Sequence, residues 1–239
     1  MPALPPSSVT IIGFGAFGAL MANHLGALAP LSVYDSDPAA RDRAKALGLR
    51  VLDDPAKITA SVVVLAVPVQ TLPACLAQIA PHLGRGQMVV DVCSIKEEPA
   101  RLMREMLSPE VELLASHPMF GPASAQGGIA GQQIVLCPLR GTGWPRVAAA
   151  LRRALGLKVI VTTPEDHDRQ AALSQGLIHL LAQILPPAAK APKIRTKSYE
   201  LLSQALAMVS HDAPEVVEAI TRRNPHMAGL RAHLLKALE

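Results

Sequence analysis

Three glycines near the amino terminus have the spacing of a phosphate-binding loop. Gly13, Gly15 and Gly18 form the pattern GxGxxG between the β-branched run SVTII and a stretch rich in Ala, Leu and Met. The first glycine of this pattern permits a tight turn, the second lets backbone approach a pyrophosphate, and the third allows close packing of helix on strand. The amino terminus of the helix offers unpaired N–H groups to the phosphates. The loop therefore predicts dinucleotide binding.

An acidic residue closes the next predicted strand. Asp35 comes 22 residues after Gly13, where a carboxylate can accept hydrogen bonds from the adenosine ribose. Because a carboxylate repels a 2′-phosphate, Asp35 favours NAD, while Arg41 and Arg43, one turn further on, leave NADP as an alternative. The residues expected at the cofactor are Gly13, Phe14, Gly15, Ala16, Phe17, Gly18, Asp35, Val67 and Pro68.

A histidine follows a later strand, within the segment SHPMFGP at residues 116–122. Ligands bind beyond the carboxyl ends of the strands in open parallel sheets, and Pro118 holds the residue before it extended. In a loop at that edge, His117 would be a general base for a hydroxyl that loses its proton. The alternative is a buried histidine with a structural role.

A serine follows the strand before it, within the segment DVCSIKE at residues 91–97. Ser94 and Glu97 have the spacing of a capping box, which predicts that the Ser94 hydroxyl caps the next helix. A cap hydroxyl at the edge of the cofactor cleft can also contact a substrate, so the two roles are compatible.

Four polar residues of a later predicted helix are candidates for a functional site. His167 and Asp168 lie at its start, and Gln175 and His179 lie four residues apart, which places them on one helix face. Such a polar stripe either faces a cleft or is exposed to solvent, and the spacing leaves both interpretations open.

Alternating strands and helices must position these residues. Predicted strands occupy residues 8–12, 31–34, 61–67, 87–93, 111–116, 133–137 and 158–162. This alternation indicates right-handed βαβ units, and hence an α/β fold with a doubly wound parallel sheet. Beyond it only helices are predicted, over about 165–185, 196–210, 213–223 and 226–238, broken at Pro186-Pro187 and Pro192, with Asp212 and Asn224 as caps. We therefore predict a Rossmann-type dinucleotide-binding domain at 1–163 and a small all-helical domain at 164–239.

The composition fits such a protein. Half of the residues are hydrophobic and 18% are charged, which excludes a disordered chain. The net charge of +4 comes from scattered Lys and Arg without interleaved aromatics, which argues against nucleic-acid binding and agrees with an anionic substrate. The three cysteines lack metal-binding spacing and indicate reduced thiols and no metal site. With no signal peptide or apolar run long enough to cross a bilayer, we expect no membrane association and a cytoplasmic location.

The order of these motifs resembles the prephenate and arogenate dehydrogenases of tyrosine biosynthesis. The resemblance runs over nearly the whole chain, through GxGxxG, DVCSIK, SHPMFGP and HDRQAALSQGLIH, and continues more loosely over TKSYELL and an NP dipeptide. It implies an NAD(P)-dependent oxidoreductase of aromatic amino acid biosynthesis. In the implied reaction, hydride leaves the hydroxyl-bearing carbon of a cyclohexadienol and carbon dioxide leaves as the ring becomes aromatic. Because neither a chorismate mutase segment nor a regulatory domain is seen, we expect a short, monofunctional form.

The resemblance also implies roles for individual residues. His117 would accept the hydroxyl proton, and Ser94 would hydrogen-bond near the hydroxyl and the nicotinamide. Gln175 and His179 would line the substrate pocket from the helical domain. That domain would also form a homodimer, since about 75 residues rarely make a self-sufficient core.

The charges of the substrate give three further candidates. The two carboxylates need cations, and Arg195 and Lys197 lie in about the right region, contributed by either subunit. Asp212 lies where short, plant-like arogenate enzymes carry an acid, which would favour the amine of arogenate over the keto group of prephenate. Prephenate-using relatives also have an acid nearby, so the preference stays open.

Two other functions fit parts of the sequence. One is another Rossmann dehydrogenase with a helical domain, such as a β-hydroxyacid dehydrogenase or a pyrroline carboxylate reductase. The former normally uses a lysine base, whereas the long helix here has Gln175 and His179 and no lysine before Lys190. The other is a non-catalytic NAD-sensing module, which predicts NAD binding without turnover.

Overall fold

The structure, a computed structural model, describes residues 8–185 and 192–237. The chain forms two compact units, Met1–Pro164 and Glu165–Glu239. The predicted break at Pro186-Pro187 and the last residue of the final predicted helix, 238, lie outside the described residues.

The first unit is built on one eight-stranded sheet with the strand order β3-β2-β1-β4-β5-β6-β7-β8. Its strands are β1 (Val9–Ile12), β2 (Leu31–Tyr34), β3 (Arg50–Val51), β4 (Val62–Leu65), β5 (Met88–Asp91), β6 (Glu112–Pro118), β7 (Gln133–Arg140) and β8 (Lys158–Val161). Strands β1 to β6 pair in parallel. The order reverses between β1 and β4, which confirms the prediction of a doubly wound Rossmann-type sheet.

The far edge of the sheet departs from the prediction. Strand β7 pairs with β6 in antiparallel and β8 pairs with β7 in parallel, so the last two strands run against the other six. The reason is the connection: residues 119–132 join β6 to β7 without a crossover helix, and a chain that returns directly must run antiparallel. The two-residue strand β3 was not predicted.

Helices cover both faces of this sheet. They are α1 (Ala16–Leu25), α2 (Pro38–Ala46), α3 (Leu72–Ile79), α4 (Glu97–Met106) and α5 (Trp144–Ala154), with short 3₁₀ turns at Pro55–Lys57 and Ala80–His82. Asp37 caps α2: its carboxylate accepts the N–H groups of Ala39 at 2.9 Å and Ala40 at 3.3 Å. The central strands are aliphatic, and all four residues of β1 and of β5 are buried, as expected for a sheet covered on both faces.

Helices and helical turns are the only regular secondary structure among the described residues of the second unit. Its segments are α6 (Pro164–Ala171), a π-helical turn (Ala172–Gly176), α7 (Leu177–Ile184), α8 (Lys197–Val209), α9 (Pro214–Glu218), a second π-helical turn (Ala219–Arg223) and α10 (Met227–Ala237). Gly176 permits close packing here, because a Cβ at this position would lie 2.4 Å from the Met227 sulfur. Among the helices that the structure describes, none is long and apolar enough to cross a membrane.

Candidate active site

The glycine loop follows β1 at the carboxyl edge of the sheet. Gly13 has a φ of +94°, and a Cβ there would lie 2.4 Å from the Ala66 carbonyl oxygen. A Cβ on Gly18 would lie 2.0 Å from the Gly13 carbonyl oxygen, whereas one on Gly15 would meet nothing within 4 Å. Packing therefore requires glycine at the first and third positions. The second leaves open space at the start of α1, where no side chain caps the helix, and this arrangement fits a bound pyrophosphate.

Asp35 is oriented by the loop itself. Its carboxylate accepts the backbone N–H of Phe14 at 2.6 Å and that of Asp37 at 2.8 Å. The Arg41 guanidinium donates to the backbone oxygens of Asp35 at 2.7 Å and Ser36 at 3.3 Å. The acid predicted to bind ribose is thus held beside the predicted pyrophosphate site, and Arg41 is held next to it.

The other predicted cofactor residues differ in exposure. Phe14 is buried in the core, so only its backbone can reach a cofactor. Ala16 is exposed and Phe17 is half-buried, with its ring centroid 6.4 Å from that of Phe120. Val67 and Pro68 follow β4, and a Cβ on Gly13 would lie 2.9 Å from a methyl carbon of Val67. The β4 end and the glycine loop are therefore neighbours.

His117 lies inside β6 and not in a loop after it, which corrects the sequence prediction. It pairs with Val135 of β7 and is 3% exposed. The strand continues to Pro118 because β7 returns alongside it. The backbone thus fixes His117 more firmly than a loop would, at the carboxyl end of β6 where ligands bind in such sheets.

Ser94 lies in the turn between β5 and α4, where it is half-buried. The predicted capping box is wrong: α4 begins at Glu97, its N-cap is Lys96, and no side chain caps it. Asp91 at the end of β5 pairs with Ala115 in β6, so Ser94, just after β5, and His117, within the last residues of β6, lie at the carboxyl ends of neighbouring strands.

A buried ion pair that was not predicted from the sequence lies at this edge. Lys96 donates to the Asp91 carboxylate and, at 2.5 Å, to the Ser116 carbonyl oxygen, and the side chains of Asp91 and Lys96 have no exposed surface. The signal was present in DVCSIKE, where Lys96 follows the apolar Ile95. A lysine that is buried requires an acceptor for its charge.

The second unit holds its own buried polar groups. His179 is 2% exposed, and its Nε2 lies 3.4 Å from an Asp212 carboxylate oxygen. Burial lowers the pKa of His179 below its ordinary value, despite the nearby carboxylate that favours the charged form. Burial raises the pKa of Asp212, and His179 partly opposes this change. Asp212 is not the predicted helix cap, because α9 begins after Ala213 and has no side-chain cap.

Gln175 lies in the π-helical turn before α7. Its side-chain oxygen Oε1 is buried and has no hydrogen-bond partner among the described residues. Because buried acceptors are normally satisfied, this oxygen is a candidate for binding a ligand donor. Burial of His179 and of this oxygen excludes the solvent-exposed interpretation of the polar stripe, and the π-helical turn means that regular α-helical spacing does not apply between the two residues.

A buried network surrounds the start of the same helix. His167 Nδ1 lies 2.7 Å from an Asp168 carboxylate oxygen, and the Asp168 carbonyl accepts the Asn224 side-chain amide at 2.8 Å. The Asn224 side chain accepts the backbone N–H of His226 at 2.9 Å, just before α10. The Asn224 side chain thus connects the backbone of α6 to the segment just before α10, whereas the contact between His167 and Asp168 lies within α6.

The predicted cationic residues stand apart from these groups. Arg195 and Lys197 are exposed: Arg195 donates to the Pro192 carbonyl at 2.8 Å, and Lys197 pairs with Glu200 at 3.3 Å. Within residues 8–185 and 192–237, neither makes a hydrogen bond or ion pair to Gln175, His179 or Asp212. The same ranges contain no group of three or more His, Cys, Asp and Glu that could hold a metal ion.

Comparison with known proteins connects this arrangement to one family. Residues 19–163 match the family described as "Prephenate dehydrogenase, nucleotide-binding domain". A probable arogenate/prephenate dehydrogenase of Methanocaldococcus jannaschii is 29% identical over 70% of this chain, and arogenate dehydrogenase 2 of Arabidopsis thaliana is 28% identical over 91%. The chain spans 39% and 64%, respectively, of the lengths of these relatives.

Comparison of structures agrees in fold. A prephenate dehydrogenase from A. aeolicus, solved with hydroxyphenyl propionate and NAD+, superposes with a TM-score of 0.70 at 20% identity, covering 97% of this chain and 88% of that one. The matched segment of 19–163 is more than half of the 239 residues. It begins within α1, the helix that follows the glycine loop, and includes Asp35, Ser94 and His117. The chain belongs to the prephenate dehydrogenase family.

Proposed function

We propose that the chain catalyses the NAD(P)-dependent oxidative decarboxylation of prephenate or arogenate in tyrosine biosynthesis. The observation that carries this proposal is one continuous edge of the sheet. The glycine loop touches the β4 end at Ala66 and Val67, the Cys93 thiol lies 3.5 Å from the Val67 carbonyl oxygen, and the following turn contains Ser94. His117 lies near the carboxyl end of β6, the next strand along this edge.

NAD fits the residues at this edge. The backbone around Gly15 would hold the pyrophosphate, and the oriented Asp35 carboxylate would accept the ribose hydroxyls. A bound nicotinamide supplies a hydride acceptor. Asp35 favours NAD over NADP, and the A. aeolicus relative solved with NAD+ supports this preference. Arg41, held beside Asp35 by two backbone oxygens, is the residue that could contact a 2′-phosphate.

The chemistry required of the chain is small. The substrate carbon that bears the hydroxyl loses hydride, and the hydroxyl proton passes to the His117 imidazole. The bond between the ring and its carboxylate carbon breaks, and the electrons of that bond enter the ring as carbon dioxide leaves. Aromatisation drives the loss of carbon dioxide, so the chain must orient the ring and polarise its hydroxyl. Ser94 would hydrogen-bond that hydroxyl, and His117 would act as general base.

The second unit contributes the residues that would recognise the substrate. The unsatisfied Gln175 oxygen would accept a substrate donor. His179 would take part in its neutral form, because burial lowers its pKa. Arg195 and Lys197, both exposed, are the cations proposed for the carboxylates. Asp212 would attract the ammonium of arogenate.

We further propose a homodimer formed through the second unit. None of the 13 residues of α8 is buried, and Ile194, three residues before its start, is 92% exposed. Leu201 and Met208 on α8 are also exposed. Apolar surface of this kind favours association. Light scattering should give twice the monomer mass, and Leu201→Glu/Met208→Glu should reduce it to the monomer mass. A monomeric wild type would contradict the dimer.

We also propose a cytoplasmic location. Cys75, Cys93 and Cys137 form no disulfide bonds, and burial raises the pKa of the Cys75 thiol to about 12. Cysteines that form no disulfide bonds are typical of a reducing compartment.

The reaction is tested by its stoichiometry. Purified protein with NAD and either substrate should form reduced cofactor, carbon dioxide and aromatic product in equal amounts. Reduced cofactor without carbon dioxide would indicate a dehydrogenase of another class, such as a β-hydroxyacid dehydrogenase. NAD binding without any reduction would indicate a sensing module. Either result would contradict the proposed function.

A further inference from the structure

The buried pair of Asp91 and Lys96 forms hydrogen bonds with the residues that precede both proposed catalytic residues, Cys93 before Ser94 and Ser116 before His117. Both side chains have no exposed surface. Removal of two charges from water costs free energy that their attraction returns only with good geometry and further hydrogen bonds. A pair of apolar residues would give this position the same bulk without that cost, so stability alone does not account for the pair.

Their hydrogen bonds connect two segments of the chain. The Asp91 carboxylate accepts Lys96, the Cys93 N–H at 3.0 Å and the Ser116 N–H at 3.3 Å. The Asp91 carbonyl accepts the Ser116 hydroxyl at 2.7 Å, and Lys96 donates to the Ser116 carbonyl at 2.5 Å. The turn after β5 and the end of β6 are therefore held by the same two side chains.

The connected segments carry the two residues assigned to the reaction. Ser94 lies between Cys93 and Lys96, both of which bond Asp91. The Ser116 carbonyl belongs to the peptide unit that leads into His117. A displacement of the ion pair would therefore move the Ser94 hydroxyl and the His117 imidazole relative to each other.

We propose that Asp91 and Lys96 are positioning residues that set the geometry between Ser94 and His117. This inference rests on the proposed function. Neither side chain can touch a substrate, because both are enclosed, so they act through the two residues they hold. They also fix the start of α4 at Glu97, since Lys96 occupies the N-cap position.

The first test is Lys96→Met, which keeps most of the side-chain bulk and removes the charge. We expect kcat to fall about 100-fold, the loss that a displacement of about 1 Å in a catalytic group can cause. The KM for NAD should stay within about threefold of wild type, because the glycine loop is untouched.

The matched control is Arg140→Met. Arg140 donates to the backbone oxygens of Leu107, Ser108 and Val111 at the other end of β6, so its loss should lower the unfolding midpoint and leave kcat unchanged.

A double-mutant cycle separates positioning from a general loss of structure. If Lys96 acts through His117, Lys96→Met should lower kcat little further in a His117→Asn background. An equal loss of kcat in both backgrounds would overturn the proposal. Should Lys96→Met not fold, Ser116→Ala removes one bond of the network, the one to the Asp91 carbonyl, and enters the same cycle with the same criterion.

A readout without substrate distinguishes this inference from the proposed function. Among the 8 histidines, the ring nitrogen signals of His117 can be assigned by NMR from the His117→Asn variant. Lys96→Met should shift these signals and Arg140→Met should not. If wild type lacks turnover but the signals shift, the proposed function fails and the positioning role stands. If turnover is present but the signals stay unchanged, the positioning role is wrong.

Discussion

The carboxylate of Asp35 accepts the backbone N–H of Phe14 at 2.6 Å, which ties the end of β2 to the second residue of the glycine loop. The acid that would bind the ribose and the loop that would bind the pyrophosphate are thus coupled before any cofactor arrives. A site oriented in advance loses less conformational freedom on binding. Cofactor affinity should accordingly be sensitive to both parts.

Asp35→Ala should weaken NAD binding about 10- to 100-fold, because hydrogen bonds to a charged group contribute about 1.5–3 kcal/mol. NADP should lose much less, since the variant also removes the repulsion of a 2′-phosphate. Fluorescence titration with each cofactor measures both constants. Asp37→Ala is the control: it removes the cap of α2 and should leave the NAD/NADP ratio unchanged. Equal losses for the two cofactors would refute the role of Asp35.

Gly15→Ala and Gly13→Ala should separate binding from folding. A Cβ on Gly15 meets no protein atom within 4 Å, so the free energy of unfolding should stay within about 0.5 kcal/mol of wild type while NAD affinity falls. Gly13→Ala forces a side chain onto a φ of +94° beside the Ala66 oxygen and should lose about 2 kcal/mol or more. Urea unfolding and NAD titration test both variants. If Gly15→Ala binds NAD normally, the pyrophosphate does not bind at Gly15.

His117→Asn should lower kcat by about 10²- to 10⁴-fold, the usual contribution of a general base. Asparagine keeps a polar side chain within β6, and the glycine loop is unchanged, so NAD binding should be intact. Steady-state kinetics and NAD titration on the same preparation make the comparison. Near-normal turnover in this variant would show that another group takes the proton.

His179 should make stability depend on pH. Burial lowers its folded pKa below the ordinary value of 6.5, so the unfolded chain binds more protons and stability falls as pH drops below about 6.5. Asp212, with a raised folded pKa, contributes in the opposite direction, just above its ordinary value of 3.8.

Urea unfolding midpoints across this range test the effect. His179→Gln should flatten the dependence of stability on pH below about 6.5, whereas His82→Gln, at an exposed position, should not. An unchanged slope in His179→Gln would mean that another group controls it.

Features that depend on adjacent residues were predictable from the sequence. The glycine loop and the Asp37 cap are determined within a few residues of chain, and β2 was predicted at its observed bounds, Leu31–Tyr34. The reversal of β7 and the burial of His117 depend on pairing between β6 and β7 across a 14-residue connection, which no local pattern reports.

The errors at the site have a similar origin. The Ser94-x-x-Glu97 pattern predicts that Ser94 caps the helix. The contacts of Lys96 with Asp91 and Ser116 instead keep the chain non-helical up to Lys96, and α4 begins at Glu97. The π-helical turn at Gln175 lies beside a glycine packed against Met227. That packing joins residues about 50 positions apart, so helical periodicity could not predict it.

The central claim is the reaction, and the most direct test is steady-state reduction of NAD and NADP with prephenate and arogenate offered separately. We predict turnover with at least one substrate and a higher kcat/KM with NAD than with NADP. The ratio of kcat/KM for the two substrates would then establish which side chain Asp212 favours. Cofactor binding without turnover in all four combinations would contradict the account.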